Sequence, residues 1–183
     1  RRHSFPTRRS SDLPKADGIL LLSLISGRNP ELLIGHHVQA ATALKQSKLK
    51  ILPVGYILIE SGCATTVSYI SNTTPIPANK PEIAVCTALA GEQLGLQCIY
   101  LEAGSGAQNC VPKAMIAAVR KMISVPLIVG GGLKSAAQIE TAFSAGADIV
   151  VIGTAIENNI KFLEEIKADN ITTRAQAYHF SLY

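Results

Sequence analysis

The chain has 183 residues, 48% of them hydrophobic and only 16% charged, which excludes a disordered protein and allows one domain with a substantial core. It has no Trp and 5% aromatic residues, so a base-stacking surface for nucleic acid is excluded. Residues 1–13 contain four Arg and one Asp, so most of the net charge of +4 lies there and the remainder has no basic patch. Apolar runs shorter than the ~20 residues of a membrane helix predict no transmembrane segment. Four widely spaced Cys without a CxxC pair favour reduced thiols in a cytoplasmic protein.

The first thirteen residues differ from the rest of the chain because they show neither helical nor strand periodicity. From His3 to Leu13 they match, residue for residue, one reading frame of a common sequencing adapter. Segments of this kind are set aside before a fold is inferred. We therefore expect residues 1–13 to be an artefact and the natural chain to extend further upstream, the alternative being a natural basic tail. Residues 14–170 are then the C-terminal part of one domain, followed by a weakly patterned tail at 171–183.

Beyond the N-terminus, apolar runs alternate with helical patterns. They predict strands at 18–25, 49–59, 98–103, 126–129 and 147–152, and helices at 29–46, 81–94, 112–123, 135–145 and 157–167. Such repeated units indicate parallel strands joined by right-handed crossovers. Pro53 inside the second strand predicts a bulge or bend facing the site. Residues 61–79 are rich in Ser, Thr and Asn, and a long segment without regular structure is typical of a lid or binding loop.

Two glycine-rich turns follow the last two predicted strands, at Gly130–Gly132 and at Gly153–Thr154. Glycine lets backbone N–H groups approach an anion closely, and the helix N-terminus that follows adds partial positive charge. Because α/β barrels bind phosphate after strands 7 and 8, the pattern favours a TIM (β/α)8 barrel. Five strands do not close such a barrel, so it is expected to be incomplete. The alternative is an open doubly wound sheet, which needs no further strands.

A carboxylate, Glu102, ends the third predicted strand beside Tyr100 and the flexible stretch Gly104–Gly106. Alternation along a strand places Tyr100 and Glu102 on one face, which would be the barrel mouth. A glutamate there can accept a proton from a substrate hydroxyl, the alternative being an ion pair with a neighbouring Lys or Arg. Four further side chains either line a lipid-sized groove or pack in the core: Tyr56, Ile57, Tyr69 and Ile70.

Six segments between Ala16 and Lys167 carry a resemblance to a known family. They are SLISGRNPELLIGHHV (23–38), ILPVGYILIESG (51–62), SNTTPIP (71–77), YLEAGSGA (100–107), PLIVGGG (126–132) and ADIVVIGTAIE (147–157). Together, and in this order, they resemble the geranylgeranylglyceryl phosphate synthase family. YLEAGSGA is the most specific of the six, because generic phosphate-binding barrels lack it.

The resemblance implies a TIM barrel in which the five strands are strands 4 to 8 and the first three βα units are missing. It implies transfer of a polyprenyl chain, expected to be geranylgeranyl, from its diphosphate to sn-glycerol 1-phosphate with release of pyrophosphate, in ether-lipid synthesis. Glu102 would be catalytic. The residues implied for glycerol phosphate are Tyr100, Leu101, Glu102, Ala103, Gly104, Ser105, Gly106, Gly131, Gly132, Gly153 and Thr154.

The resemblance also implies Mg²⁺, which neutralises charge on a departing pyrophosphate. Its expected ligand, an Asp after the first strand, belongs to the missing units, so no metal ligand is assigned here. A homo-oligomer is expected. The 183-residue chain is expected to be inactive and poorly folded alone, because an unclosed barrel exposes two sheet edges.

Two other functions stay open from the residues alone. One is a phosphate-sugar isomerase or aldolase on the same barrel, although an aldolase requires a Schiff-base lysine and Lys50 lies at a strand start. The other is a non-catalytic module that binds a phosphate ligand.

Overall fold

The computed structural model describes residues 16–168, in which helices and strands alternate. The strands are β1 (Gly18–Leu24), β2 (Lys50–Leu58), β3 (Cys98–Glu102), β4 (Leu127–Gly130) and β5 (Ile149–Val151). The helices are α1 (His36–Gln46), α2 (Thr66–Ser71), α3 (Pro81–Gln93), α4 (Lys113–Met122), α5 (Ala136–Ser144), α6 (Thr154–Asn158) and α7 (Phe162–Ala168). The predicted adapter segment at 1–13 and the predicted tail at 171–183 lie outside the described residues, as do both ends of the predicted part at 14–170.

The five strands form one parallel sheet in the order β1-β2-β3-β4-β5, so each strand pairs with the next along the chain. In a doubly wound sheet the order in which successive strands are added reverses at a switch point. The strand order within residues 16–168 shows no such reversal. The doubly wound alternative is therefore wrong. A sequential parallel order is the arrangement of barrel strands.

The two faces of the sheet bury different sets of side chains. Helices α3, α4 and α5 pack on one face, against a cluster that includes Ile57, Ile99, Leu101, Leu127 and Val129. The opposite, inner face carries Leu24, Val54, Tyr56, Leu58, Cys98, Tyr100 and Ile128. Because side chains on both faces are apolar, the strands appear in the sequence as nearly continuous hydrophobic runs.

Of the bulge or bend predicted at Pro53, the bulge is absent. The β1–β2 pairing runs through it without an extra residue, with Pro53 opposite Leu21 and Val54 opposite Leu22. The Pro53 carbonyl accepts a hydrogen bond from the Gln97 N–H at 2.9 Å. In a parallel ladder a residue's N–H and C=O face the same neighbour, so the missing N–H of Pro53 faces the chain just before β3 begins. A proline there removes no ladder hydrogen bond.

The segment at 61–79 is more regular than predicted. It contains α2, whose first turn is capped by Thr65 and Ser68 in reciprocal side-chain-to-backbone hydrogen bonds. Beyond α2, Ile76 forms a parallel bridge with Ile59, which continues β2 by one residue. The segment therefore contacts the sheet at both ends instead of forming a free loop.

Two predicted helices differ in detail. The first begins with a π-helical turn, Glu31–Gly35, before α1, and the Asn29 Oδ1 atom accepts a hydrogen bond from the Glu31 N–H at 3.0 Å. The predicted helix at 157–167 is divided into α6 and α7. Across residues 16–168, no helix combines the length and the apolar character that crossing a membrane requires.

Candidate active site

The last residue of β3, Glu102, lies at the C-terminal edge of the sheet and is only 4% exposed. Its Oε1 atom accepts a hydrogen bond from the Gly104 N–H at 2.7 Å. Burial raises the pKa of this carboxyl group, while the Tyr100 hydroxyl and the Gly104 N–H partly oppose the rise. A carboxylate with a raised pKa is better suited to accept a proton than an exposed one.

The Tyr100 side chain lies beside Glu102 on the inner face and is 1% exposed. Burial, followed by the negative charge of Glu102, raises the pKa of the Tyr100 hydroxyl well above its usual range. The hydroxyl oxygen makes no hydrogen bond of good geometry within residues 16–168. The hydroxyl lies against the Glu102 carboxyl, whose pKa it lowers. A tyrosine hydroxyl both donates and accepts, so it can make a further hydrogen bond to a ligand.

Glycines at the end of β4 make room for this pair. A Cβ atom on Gly130 would lie 2.5 Å from the Tyr100 Oη and 2.8 Å from the Glu102 Oε2. Gly131 has a φ of +81° and Gly132 a φ of +69°, the left-handed region that favours glycine. A Cβ atom on Gly131 would collide with the Glu102 carboxylate. The glycines therefore bring the β4 turn directly against the carboxylate.

Both predicted phosphate turns offer backbone donors. Among the described residues, the N–H groups of Gly131, Gly132, Gly153 and Thr154 donate no hydrogen bond to another backbone group or side chain. A Cβ atom on Gly153 would meet no atom within 4 Å, so the space beside this turn is open. Unpaired N–H groups next to open space form the kind of concavity that binds anions.

The structure brings most, but not all, of the predicted site residues together. Leu101 and Ala103 are buried in the cluster under the helices, so their side chains lie on the face opposite Tyr100 and Glu102. Ser105 and Gly106 lie in the exposed loop after β3. Within residues 16–168, no Lys or Arg forms an ion pair with Glu102, so the ion-pair alternative has no support there.

The four side chains considered for a lipid groove do not share one surface. Tyr56 faces inward beside Tyr100, and Ile57 lies under the helices. On α2, Tyr69 is 86% exposed and Ile70 is 54% exposed.

Contacts between loops at the mouth were missed by the sequence reasoning. A Cβ atom on Gly104 would collide with Thr65, the residue before α2. The Asn109 N–H donates to the Ser61 carbonyl at 2.9 Å, and the Asn109 carbonyl oxygen lies 2.7 Å from a Cβ placed on Gly132. The loops after β2, β3 and β4 thus pack against one another. Their glycines were a possible signal, but the sequence does not say which partner each glycine approaches.

A magnesium site is not formed by the described residues alone. In residues 16–168, no three His, Cys, Asp or Glu side chains converge in a way that fits a metal ion. Because divalent cations such as Mg²⁺ are held by oxygen ligands, Glu102 by itself is not a sufficient site. No chemical step is therefore assigned to a metal.

Comparison with known proteins identifies the family. The sequence model of the PcrB family matches residues 5–173. The chain belongs to the PcrB family. The geranylgeranylglyceryl phosphate synthase of Spirosoma linguale is 58% identical over 151 residues, which cover 82% of this chain and 61% of that protein. The resemblance drawn from the six segments is therefore confirmed.

Solved structures agree with this PcrB-family assignment. The geranylgeranylglyceryl phosphate synthase from Thermoplasma acidophilum, in complex with its substrate sn-glycerol-1-phosphate, is 33% identical with a TM-score of 0.78. The match covers 84% of this chain and 61% of that one. The enzyme from Thermoplasma volcanium gives a TM-score of 0.80 at 31% identity, over 89% of this chain and 66% of that one. The chain thus spans about three-fifths of the length of the relatives it matches.

Proposed function

We propose that this PcrB-family chain is the glycerol-phosphate-binding part of a prenyltransferase, which joins a polyprenyl group to sn-glycerol 1-phosphate and releases pyrophosphate. One observation carries the proposal: the buried pair Tyr100 and Glu102 lies at the sheet edge beside two turns with unpaired N–H groups. The names of the relatives support geranylgeranyl as the transferred group. The glycerol phosphate bound to the Thermoplasma acidophilum enzyme supports the acceptor.

In the proposed reaction, the free primary hydroxyl of glycerol phosphate attacks the first carbon of the polyprenyl diphosphate. A carbon–oxygen ether bond forms, and the bond from that carbon to the diphosphate oxygen breaks. Glu102 accepts the hydroxyl proton, for which its raised pKa is suited. The Gly104 N–H holds the Oε1 atom in place, and the Tyr100 hydroxyl, which lies beside Glu102, would contact the glycerol.

The two glycine turns are assigned to the phosphate of the acceptor. The N–H groups of Gly131, Gly132, Gly153 and Thr154 would donate to its oxygens. A Cβ atom on Gly131 would collide with the Glu102 Oε1, so this turn packs closely beside the carboxylate and would hold a phosphate near the base. Close placement of this kind lets the protein position the attacking hydroxyl before reaction.

We also propose that the five described strands are strands 4 to 8 of an eight-stranded barrel, completed by three further βα units. Relatives whose length is only about 61% covered support this. Mg²⁺ ligands, an Asp among them, would lie in those units. We propose further that the complete protein is cytoplasmic and forms a homo-oligomer.

The test compares the 183-residue chain with a chimeric protein in which residues 16–168 follow the matching N-terminal part of the Spirosoma linguale relative. We expect the chimera to transfer geranylgeranyl from its diphosphate to sn-glycerol 1-phosphate in preference to sn-glycerol 3-phosphate. The chain alone is expected to be inactive. The matched control is the chimera with Glu102→Gln, which keeps the shape of the side chain and removes the base.

Two results would contradict the proposal. A chimera that is folded by circular dichroism but transfers no prenyl group would remove the enzyme assignment. Prenyl transfer by the 183-residue chain alone would contradict the proposal that three βα units are missing. Source DNA that encodes residues 1–13 behind a start codon would contradict it too. The aldolase alternative has little support, because Lys50 is the only lysine in the described strands and lies at the opposite sheet edge.

A further inference from the structure

Tyr56 on β2 contacts the ring of Tyr100 from the neighbouring strand. The two residues are direct register partners, and their ring centroids lie 5.2 Å apart with the ring planes at 74°. Tyr56 is only 7% exposed. An edge-to-face arrangement at this distance is one of the preferred geometries of aromatic pairs. The contact therefore restricts the orientation of the Tyr100 ring.

On its other side, Tyr100 extends toward β4. Its hydroxyl lies over Gly130, where a Cβ atom would approach it to 2.5 Å and would approach the Glu102 Oε2 to 2.8 Å. The Tyr100 hydroxyl and the Glu102 carboxylate therefore both lie in the space that a side chain on Gly130 would fill. Tyr56 occupies the opposite flank, where the ring would otherwise be able to turn. The Tyr100 side chain is thus packed between the Tyr56 ring on β2 and Gly130 on β4.

We propose that Tyr56 is a positioning residue for the proposed reaction, whose ring keeps the Tyr100 hydroxyl beside the Glu102 carboxylate. The structural half of the proposal, the orientation of Tyr100, stands without the proposed function. The catalytic half rests on it. Tyr56 is not itself assigned a contact with substrate.

The surroundings of Glu102 give the proposal an electrostatic consequence. Among the described residues, the titratable group that acts on Glu102 is Tyr100 from its own strand, and Tyr56 from β2 acts in turn on Tyr100. The β4 turn presents glycine backbone to the carboxylate. The Tyr100 hydroxyl lowers the pKa of Glu102 against the larger effect of burial. If Tyr100 turns away, that opposing effect is lost and the pKa of Glu102 rises further.

The first experiment uses the chimeric protein labelled with 13C at the tyrosine Cζ atoms. Residues 16–168 contribute three Tyr to it, Tyr56, Tyr69 and Tyr100, and Tyr100→Phe identifies the Tyr100 signal. We expect that signal to shift as Glu102 titrates, and this shift to disappear in Glu102→Gln. In Tyr56→Leu the midpoint should move to higher pH, whereas Tyr56→Phe, which keeps the ring, should retain the original midpoint.

The second experiment measures prenyl transfer in the chimeric protein. We expect Tyr56→Leu to lower kcat about ten- to a hundredfold, since small displacements of catalytic groups have effects of that size. The acid limb of the pH–rate profile should move in the same direction as in Tyr100→Phe. Tyr56→Phe should stay close to the unchanged chimera. Leu52→Ala is the matched control, because Leu52 lies on the same strand and packs on the same face, four residues away.

The outcomes separate the two halves of the proposal. If Tyr56→Leu leaves both the titration midpoint and kcat unchanged, or if Leu52→Ala changes them equally, Tyr56 is a packing residue only and the proposal fails. If the midpoint moves in the labelled chimera but no variant of the chimera is active, the orientation is supported and the proposed function fails instead. If Tyr56→Leu does not fold, the same comparison is made with Tyr56→Met.

Discussion

The two edges of the sheet are built differently. At the C-terminal edge, the Tyr100 hydroxyl makes no hydrogen bond of good geometry among the described residues, and four N–H groups in the glycine turns are unpaired there. At the N-terminal edge, side chains from the helix ends satisfy the backbone. Glu92 accepts hydrogen bonds from the N–H groups of Ser124 at 2.9 Å and of Val125 at 3.3 Å.

Asp148 and Arg120 also satisfy backbone groups at the N-terminal edge. Asp148 accepts hydrogen bonds from the Leu127 N–H at 2.8 Å and from Arg120 at 2.9 Å. Arg120 also donates to the Val125 carbonyl at 3.0 Å. Groups satisfied within the protein stabilise the fold, whereas groups left unsatisfied are available to a ligand. The difference indicates that one edge serves stability and the other serves binding, as in α/β barrels generally.

The largest expected effect is at the C-terminal edge. In the chimeric protein, Glu102→Gln should lower kcat about 10²- to 10⁴-fold, the usual contribution of a general base. At neutral pH the same substitution should raise the free energy of unfolding, because glutamine does not ionise. Because the folded-state pKa of Glu102 is raised, the native protein loses stability as pH rises from the ordinary glutamate value through the raised one. Urea unfolding should show that decline in the unchanged protein and not in Glu102→Gln.

Absence of the decline in the unchanged protein would mean that Glu102 is not buried as described. Full activity of Glu102→Gln would mean that this edge is not the catalytic one.

The second effect concerns the phosphate turn. Gly131→Ala should destabilise the fold by roughly 2–4 kcal/mol and abolish glycerol phosphate binding, because it combines a positive φ with a collision against Glu102. Gly95→Ala is the matched control, since Gly95 has a φ of +88° and a Cβ there would meet no atom within 4 Å. It should cost about 1 kcal/mol and leave binding intact. Equal losses of stability in the two variants would contradict the close approach.

The third effect tests the N-terminal edge. Asp148→Ala should lower the free energy of unfolding by about 1 kcal/mol, because it leaves the Leu127 N–H and Arg120 without their acceptor while Asp148 is half exposed. The dissociation constant for sn-glycerol 1-phosphate, measured by calorimetry, should not change. Asp148→Asn keeps an acceptor for the N–H and should lose less. A large loss of binding in Asp148→Ala would contradict the inference that the N-terminal edge serves stability and not binding.

The smallest effect is the pH dependence at Glu92. Hydrogen bonds from the Ser124 side chain and then from the Ser124 N–H hold the pKa of the Glu92 carboxyl below its usual range. Its contribution to stability is therefore complete above the ordinary glutamate pKa and is lost as pH falls through the lowered value. Comparing acid unfolding of the chimeric protein with that of its Glu92→Gln variant should reveal this loss in the unchanged chimera alone.

Much of this fold was accessible from sequence because local patterns coincide with tertiary demands. Five apolar runs predicted five strands, and alternation correctly placed Tyr100 and Glu102 on one face, where both lie against Gly130. The bulge at Pro53 was predicted wrongly, because the cost of a proline depends on where the neighbouring strand begins. The helix at Thr66–Ser71 was missed, because its cap uses Ser68 where a glutamate is the usual signal.

By itself, the sequence determined the order of the strand–helix units, the two glycine turns, the carboxylate at a strand end and the family. These depend on residue type and spacing, which are local properties of the chain. Only the tertiary structure decided that the strands lie in sequential order and that Tyr56 packs against Tyr100. It also decided that Gly130 and Gly131 approach Glu102. Such contacts join residues distant in the chain, and their geometry follows from the register between strands, which no local pattern contains.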